Sequence, residues 1–120
     1  MAEYQIGSME SRFADLIWNR APIATSDLIR LCEKELNWKR TTTYTVLKRL
    51  CEKGLFDTQN GIVRVLLSRE EFYARQSRQY VNSVFHGSLP AFLAAFTGGR
   101  KLTAEEAAEL HTMIEQAEEE

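Results

Sequence analysis

Two kinds of apolar pattern meet at Gly54, and their order restricts the fold more than any other feature of the sequence. Before Gly54, apolar side chains recur at helical spacing. After it come two short runs, Leu55-Phe56-Asp57-Thr58 and Ile62-Val63-Arg64-Val65-Leu66-Leu67, joined by Gln59-Asn60-Gly61. β-Branched and aromatic runs favour extended chain, and Asn-Gly readily supplies the two left-handed residues of a tight hairpin turn. Gly54 itself suits the end of a helix, where the backbone takes positive φ.

Three helices are expected upstream. Ser8 reads as an N-cap, and Met9, Phe13, Leu16 and Ile17 form the stripe of an amphipathic helix reaching Trp18 or Asn19. Ala21-Pro22 breaks it. A second pattern begins near Thr25, with Leu28, Leu31, Cys32 and Leu36 on one face, and a third starts about Arg40 and turns Thr43, Val46, Leu47 and Leu50 inward. Trp18 and Trp38 are expected to pack in the same core. Three helices followed by a hairpin is the order of a winged helix-turn-helix.

Downstream the pattern is helical again. Ser68-Arg69-Glu70-Glu71 is a capping box opening a long helix that carries Phe72, Tyr73, Tyr80, Val81, Val84 and Phe85 and ends around Gly87. A short apolar helix covers Leu89 to Phe96, with Pro90 near its start and Gly98-Gly99 at its end. The box recurs at Thr103-Ala104-Glu105-Glu106, before a helix with Ala107, Leu110, Ile114 and Ala117 on one face. The expected fold class is mainly α with a small β-hairpin wing. A winged-helix DNA-binding domain is expected over 1–68 and a helical dimerisation domain over 69–120. Phe85, Leu89, Phe92, Phe96, Leu110 and Ile114 are too many large apolar groups for a solvated tail, so they are expected to pair two copies.

Charge separates the same two regions. The net charge of -2 over 120 residues conceals 13 Lys/Arg against 10 Asp/Glu in residues 1–82, and 2 against 7 in 83–120. Between 39 and 53, Lys39, Arg40, Lys48, Arg49 and Lys53 face one acid, Glu52, which directs a polyanion to this segment. The outward face of the third helix holds Thr41, Thr42, Thr45, Lys48, Arg49 and Glu52, with Tyr44 between its buried and exposed faces. Short hydroxyls let a helix axis approach a duplex closely, a Thr methyl packs on a thymine methyl, and cations grip phosphates or pair with guanine. Arg64 brings the charge of the wing. The candidate DNA-contacting residues are therefore Lys39, Arg40, Thr41, Thr42, Tyr44, Thr45, Lys48, Arg49 and Arg64. The alternative is a winged-helix module whose basic face binds an acidic protein.

Other classes find little support. His86 and His111 are isolated from any nucleophile motif, no Gly-rich phosphate loop follows a strand, and no enzymatic reaction, cofactor or metal is expected. Cys32 and Cys51 lack CxxC spacing and read as reduced core thiols. No apolar run approaches the roughly 18 residues of a spanning helix, and the start MAEYQIGSME has neither a basic nor an apolar stretch, so a soluble cytoplasmic protein without membrane partners is expected.

With these residues in view, the chain resembles the BlaI/MecI/CopY family of bacterial transcriptional repressors from Ile6 to about Ile114. The resemblance is carried by Glu10, Leu16-Ile17-Trp18, Asn37-Trp38, Thr42, Thr45, Arg49-Leu50, Lys53-Gly54, Ser68-Arg69-Glu70-Glu71-Phe72 and Val84-Phe85-His86-Gly87-Ser88-Leu89. It implies a homodimer that occupies an inverted-repeat operator with two winged heads and holds together through its C-terminal helices. The family commonly carries a Lys and an Arg or Gln where this chain has Thr41 and Tyr44, which implies a changed operator. Its copper branch has a C-terminal cysteine-rich motif, and this chain has no cysteine after Cys51. Its penicillinase branch is inactivated by a signalling protease at an Asn-Phe bond, where Ala95-Phe96 stands here. The missing asparagine favours an unknown effector acting on the C-terminal helices.

Overall fold

The computed structural model describes residues 6–118. In chain order the elements are α1 (Ser8–Arg20), β1 (Ile23–Ala24), α2 (Thr25–Leu36), α3 (Arg40–Glu52), β2 (Phe56–Gln59), β3 (Ile62–Val65), α4 (Arg69–Val84), α5 (Leu89–Gly98) and α6 (Ala104–Ala117). This is the expected class, helices with a small antiparallel sheet. The chain divides into two compact units, Met1–Tyr80 and Val81–Glu120.

In the first unit, the N-cap of α1 is Gly7 and not Ser8. Glu10 is the reason: three residues after Gly7, its Oε1 accepts the Gly7 N–H at 3.0 Å. The residue three after Ser8 is Ser11, whose hydroxyl lies 3.0 Å from the Tyr73 hydroxyl of α4 instead. Met9, placed on the apolar stripe by spacing, stands exposed one turn before Phe13, where the core begins.

The hairpin forms as its turn residues require. Asn60 and Gly61 both take positive φ, 54° and 73°, which turns the chain in two residues and sets Gln59 opposite Ile62. A third strand joins it that spacing did not reveal. Ile23 and Ala24 pair antiparallel with Val63 and Ile62, giving the order β1-β3-β2. Thr25 extends this link, its N–H donating to the Gly61 carbonyl at 2.9 Å. Two residues are too few to show a period, so the chain between α1 and α2 reads as a break.

One core joins these elements. Phe13 and Ile17 of α1, Leu28 and Cys32 of α2, Val46, Leu47 and Leu50 of α3, Leu55, Phe56, Val63 and Leu67 around the hairpin, and Phe72 of α4 are buried together. Each large apolar group so buried contributes about 1.5–3 kcal/mol. Both tryptophans pack against it, Trp38 on Phe13 at 5.2 Å between ring centres and Trp18 on Phe56 at 5.6 Å. The Trp18 indole N–H donates to the Leu67 carbonyl at 2.9 Å, so its polar edge is satisfied within the fold. Arg69 ties the start of α4 to α1, donating to Asp15 and Asn19, each at 3.0 Å, with its guanidinium over the Trp18 ring. The Ser68 box caps α4 as its sequence predicts, Ser68 Oγ accepting the Glu71 N–H at 3.1 Å.

In the second unit, α4 ends through two left-handed residues, His86 and Gly87, whose N–H groups follow the last turn; that of Gly87 returns to the Val81 carbonyl at 3.1 Å. Ser88 caps α5 and Thr103 caps α6, the latter with Glu106 completing the box. Phe92 meets Phe85 edge-on at 5.6 Å and lies 6.4 Å from Phe96. Among the described residues, none of this core falls in the second unit.

Candidate nucleic-acid interface

The threonine run that opens α3 divides by helical period. Thr43 turns inward and is buried, its hydroxyl donating to the Lys39 carbonyl at 3.4 Å. Thr41 and Thr42 turn outward. Opposite the buried strip of Thr43, Val46, Leu47 and Leu50, the middle of the outward face is Thr41, Thr45, Lys48 and Glu52. Thr45 donates its hydroxyl proton to the Thr41 carbonyl at 2.9 Å, which commits that proton to the helix and leaves the oxygen's lone pairs and the methyl for a partner.

The two edges of this face differ. On one edge Arg40 sits with its guanidinium 5.7 Å from the centre of the exposed Tyr44 ring, and Lys39 precedes it at the N-cap. This stacking holds a cation and an aromatic together at the start of the helix. On the other edge Arg49 meets α1. Its Nη1 lies 3.0 Å from Glu10 Oε2, with the Arg49 side chain 51% exposed and that of Glu10 17%. Partial burial works to raise the Glu10 carboxyl, but the Gly7 N–H, the Arg49 hydrogen bond and the charges of Lys53 and Arg49 outweigh it and hold the group below its ordinary value.

Beyond Tyr44 a groove of about 430 Å³ separates α3 from the wing, lined among others by Tyr44, Lys48, Cys51, Asp57 and Thr58. Burial raises the Cys51 thiol, against the Thr58 hydroxyl 4.0 Å away, with the charges of Asp57 and Glu52 adding to the rise. The thiol is therefore a poor nucleophile, as is the buried Cys32. Arg64 is exposed on β3 and stands opposite Asp57 of β2, on the same face of the sheet. An acid beside the cation makes the wing weakly basic.

The fold thus gathers Arg40, Thr41, Thr42, Tyr44, Thr45, Lys48 and Arg49 on one helix, with Lys39 at its N-cap, and places Arg64 on the hairpin. Glu10 did not stand out as part of this arrangement. Its signal was the Gly7-to-Glu10 spacing, which anchors one carboxylate oxygen, but its reach to Arg49 crosses from α1 to α3. Among the described residues no group of three His, Cys, Asp or Glu side chains is placed to hold a metal ion, and no helix is long and apolar enough to cross a membrane.

Residues 6–116 match the penicillinase repressor family. The chain belongs to this family. Among its relatives, the penicillinase repressor of Bacillus licheniformis is 27% identical over 116 residues, spanning 93% of this chain and 91% of the relative. The methicillin resistance regulatory protein MecI of Staphylococcus aureus strain Mu50 is 24% identical over 115 residues, spanning 92% and 94%. The match covers both units, so membership does not rest on the winged head alone. The family is one of bacterial transcriptional repressors, and this fixes the class of function as transcription regulation.

Proposed function

We propose that the chain is a sequence-specific DNA-binding repressor that acts in the cytoplasm as a homodimer on an inverted-repeat operator. The outward face of α3 carries this reading: Thr41, Thr45 and Lys48 stand opposite the core strip of the same helix, with the hairpin beside it. A helix so mounted enters a major groove, where threonines meet base edges and thymine methyls and Lys48 meets a phosphate. Lys39 and Arg40 extend the phosphate contacts at one end of α3, and Arg64 adds one from the wing. In this reading residues 1–68 serve as the DNA-binding domain and 69–120 as the dimerisation domain.

Dimerisation is supported by the side chains that the second unit leaves uncovered. Leu89 is 64% and Ile114 59% exposed, Phe96 is exposed, and Phe85, Phe92 and Leu110 are half-buried. A second copy presenting the same surface covers them, and two linked heads then reinforce each other on two half-sites. Release from the operator follows from a signal on these helices, through a signalling protease acting at Ala95-Phe96 or through an unknown effector.

The test is selection of duplexes from a random pool by the full chain, followed by titration of the best sequence and a scrambled duplex over a range of salt. Expected are a clear preference for the selected sequence and affinity that falls steeply with salt. Lys48→Ala weakens both duplexes alike and lowers the salt slope by about one. Absence of both preference and salt dependence refutes DNA binding.

A further inference from the structure

Arg49 is a half-exposed cation of α3 that the fold pairs with a carboxylate from another helix, Glu10 of α1. Its partner is itself held, because Glu10 accepts the Gly7 N–H at Oε1 and offers Oε2 to the guanidinium. Glu10 is mostly buried and Arg49 half exposed, so the carboxylate is the anchor and the arginine is the group positioned. We propose that Glu10 is a positioning residue that sets the selectivity of DNA binding, by holding the Arg49 guanidinium at the α1 edge of α3 and compensating its charge. This rests on the reading of α3 as the helix that meets DNA.

A long flexible cation on an exposed helix face finds a phosphate on any duplex, whatever its sequence, and so raises specific and non-specific affinity together. Pairing with Glu10 changes both properties. The neighbouring negative charge removes much of the indiscriminate attraction. The guanidinium also has five N–H donors in one rigid plane, so holding one of them on Oε2 restricts where the rest can point. Such a group rewards an acceptor in one place and penalises a duplex that lacks it there. Lys48, near the middle of the outward face, has no such tie among the described residues and is suited to the sequence-blind contact.

A purely structural role makes a different prediction. If the pair only pins α1 to α3, as many surface ion pairs do at little gain in stability, its loss alters unfolding and leaves the preference between duplexes unchanged.

The experiment uses the full chain carrying Glu10→Gln, which keeps an acceptor for the Gly7 N–H and removes the charge, together with Arg49→Ala and the double variant. Each is titrated with the selected and the scrambled duplex over a range of salt, and its unfolding is followed by circular dichroism. Expected for Glu10→Gln is a gain of about tenfold on the scrambled duplex, with a salt slope steeper by about one, and little gain on the selected duplex. Adding Arg49→Ala abolishes the gain. Arg49→Lys, which keeps the charge and loses the planar fork, lowers the preference in the same direction. An unchanged ratio between duplexes in Glu10→Gln, or a gain that persists without Arg49, overturns the proposal while leaving DNA binding intact. A parent protein that shows neither preference nor salt dependence removes both.

Discussion

The winged head and the C-terminal helices are made of similar material and solve different problems. Both have capped helices with amphipathic patterns, and the Thr103 box of α6 is as complete as the Ser68 box of α4. Yet every core residue lies at or before Phe72, while Val84, Leu89, Phe96, Met113 and Ile114 stand exposed beyond it. Capping decides where a helix starts; it does not provide anything to bury its apolar face. Three helices and a sheet enclose a core from several sides, whereas α5 and α6 leave between them a groove of about 310 Å³ lined by Phe92, Phe96, Leu110 and Met113. The head encloses its own core, whereas the second unit leaves large apolar side chains exposed.

The harshest test of this contrast exchanges equal losses between the two regions. Phe13→Ala removes a fully buried ring at the contact of α1 with Trp38 and is expected to cost about 3–5 kcal/mol in denaturant unfolding of the head. Phe96→Ala removes the same group from an exposed site, and the head's unfolding should not change measurably. Equal losses in the two would break the comparison.

The converse test is association. Leu89→Glu with Ile114→Glu places charge where the proposed second copy sits and forfeits about 1.5–3 kcal/mol of burial per side chain. Sedimentation should then show monomers at concentrations where the parent is dimeric, with the circular dichroism of the head preserved. A parent that is monomeric at micromolar concentration would refute the assignment of the second unit to dimerisation.

What was legible in the sequence follows from distance along the chain. The hairpin turn, the boxes at Ser68 and Thr103 and the buried strip of α3 are set by residues within one or two turns of each other, and spacing displays them. β1 is two residues long and owes its existence to β3, on the far side of two helices. The pair of Glu10 with Arg49 likewise joins α1 to α3, so spacing places Arg49 on an exposed face without revealing what holds it there. Ser8 has a hydroxyl suited to capping and Gly7 has none, yet the carboxylate of Glu10 supplies the hydrogen bond that makes Gly7 the cap.

A smaller effect sharpens the point about local signals. Gly54 has φ of 85° and no atom within 4 Å of where a Cβ would stand, so Gly54→Ala meets no clash and feels the backbone alone. The expected cost is about 1–2 kcal/mol, read as a shift of the denaturant midpoint. No loss would mean that the turn from α3 into the wing relaxes, and that the end of α3 is less fixed than its core strip.

The smallest effect concerns acid, and it separates the two units by charge. Glu10 in the head and Glu106 in the second unit both have carboxyls held below the ordinary value of 4.5. For Glu106 the Arg100 hydrogen bond leads, with the Thr103 N–H beside it; for Glu10 burial is overcome by Gly7, Arg49 and Lys53. A carboxyl lowered in the folded state binds fewer protons there than in the unfolded chain. Its contribution is therefore complete above the unfolded value near 4.5 and is lost as pH falls through the lower folded value. For the partly screened Glu10 pair this amounts to less than about 1 kcal/mol. Denaturant midpoints measured from about pH 6 down to about pH 3 should fall less for Glu10→Gln than for the parent, and the two curves should converge at the acid end. Glu106→Gln should leave the head's curve unchanged, because its partners Arg100 and Thr103 both lie in the second unit. A Glu10→Gln curve parallel to that of the parent would show that the Glu10 carboxylate gains nothing from Arg49, and that the edge of α3 facing α1 is as loosely held as the surface of the second unit.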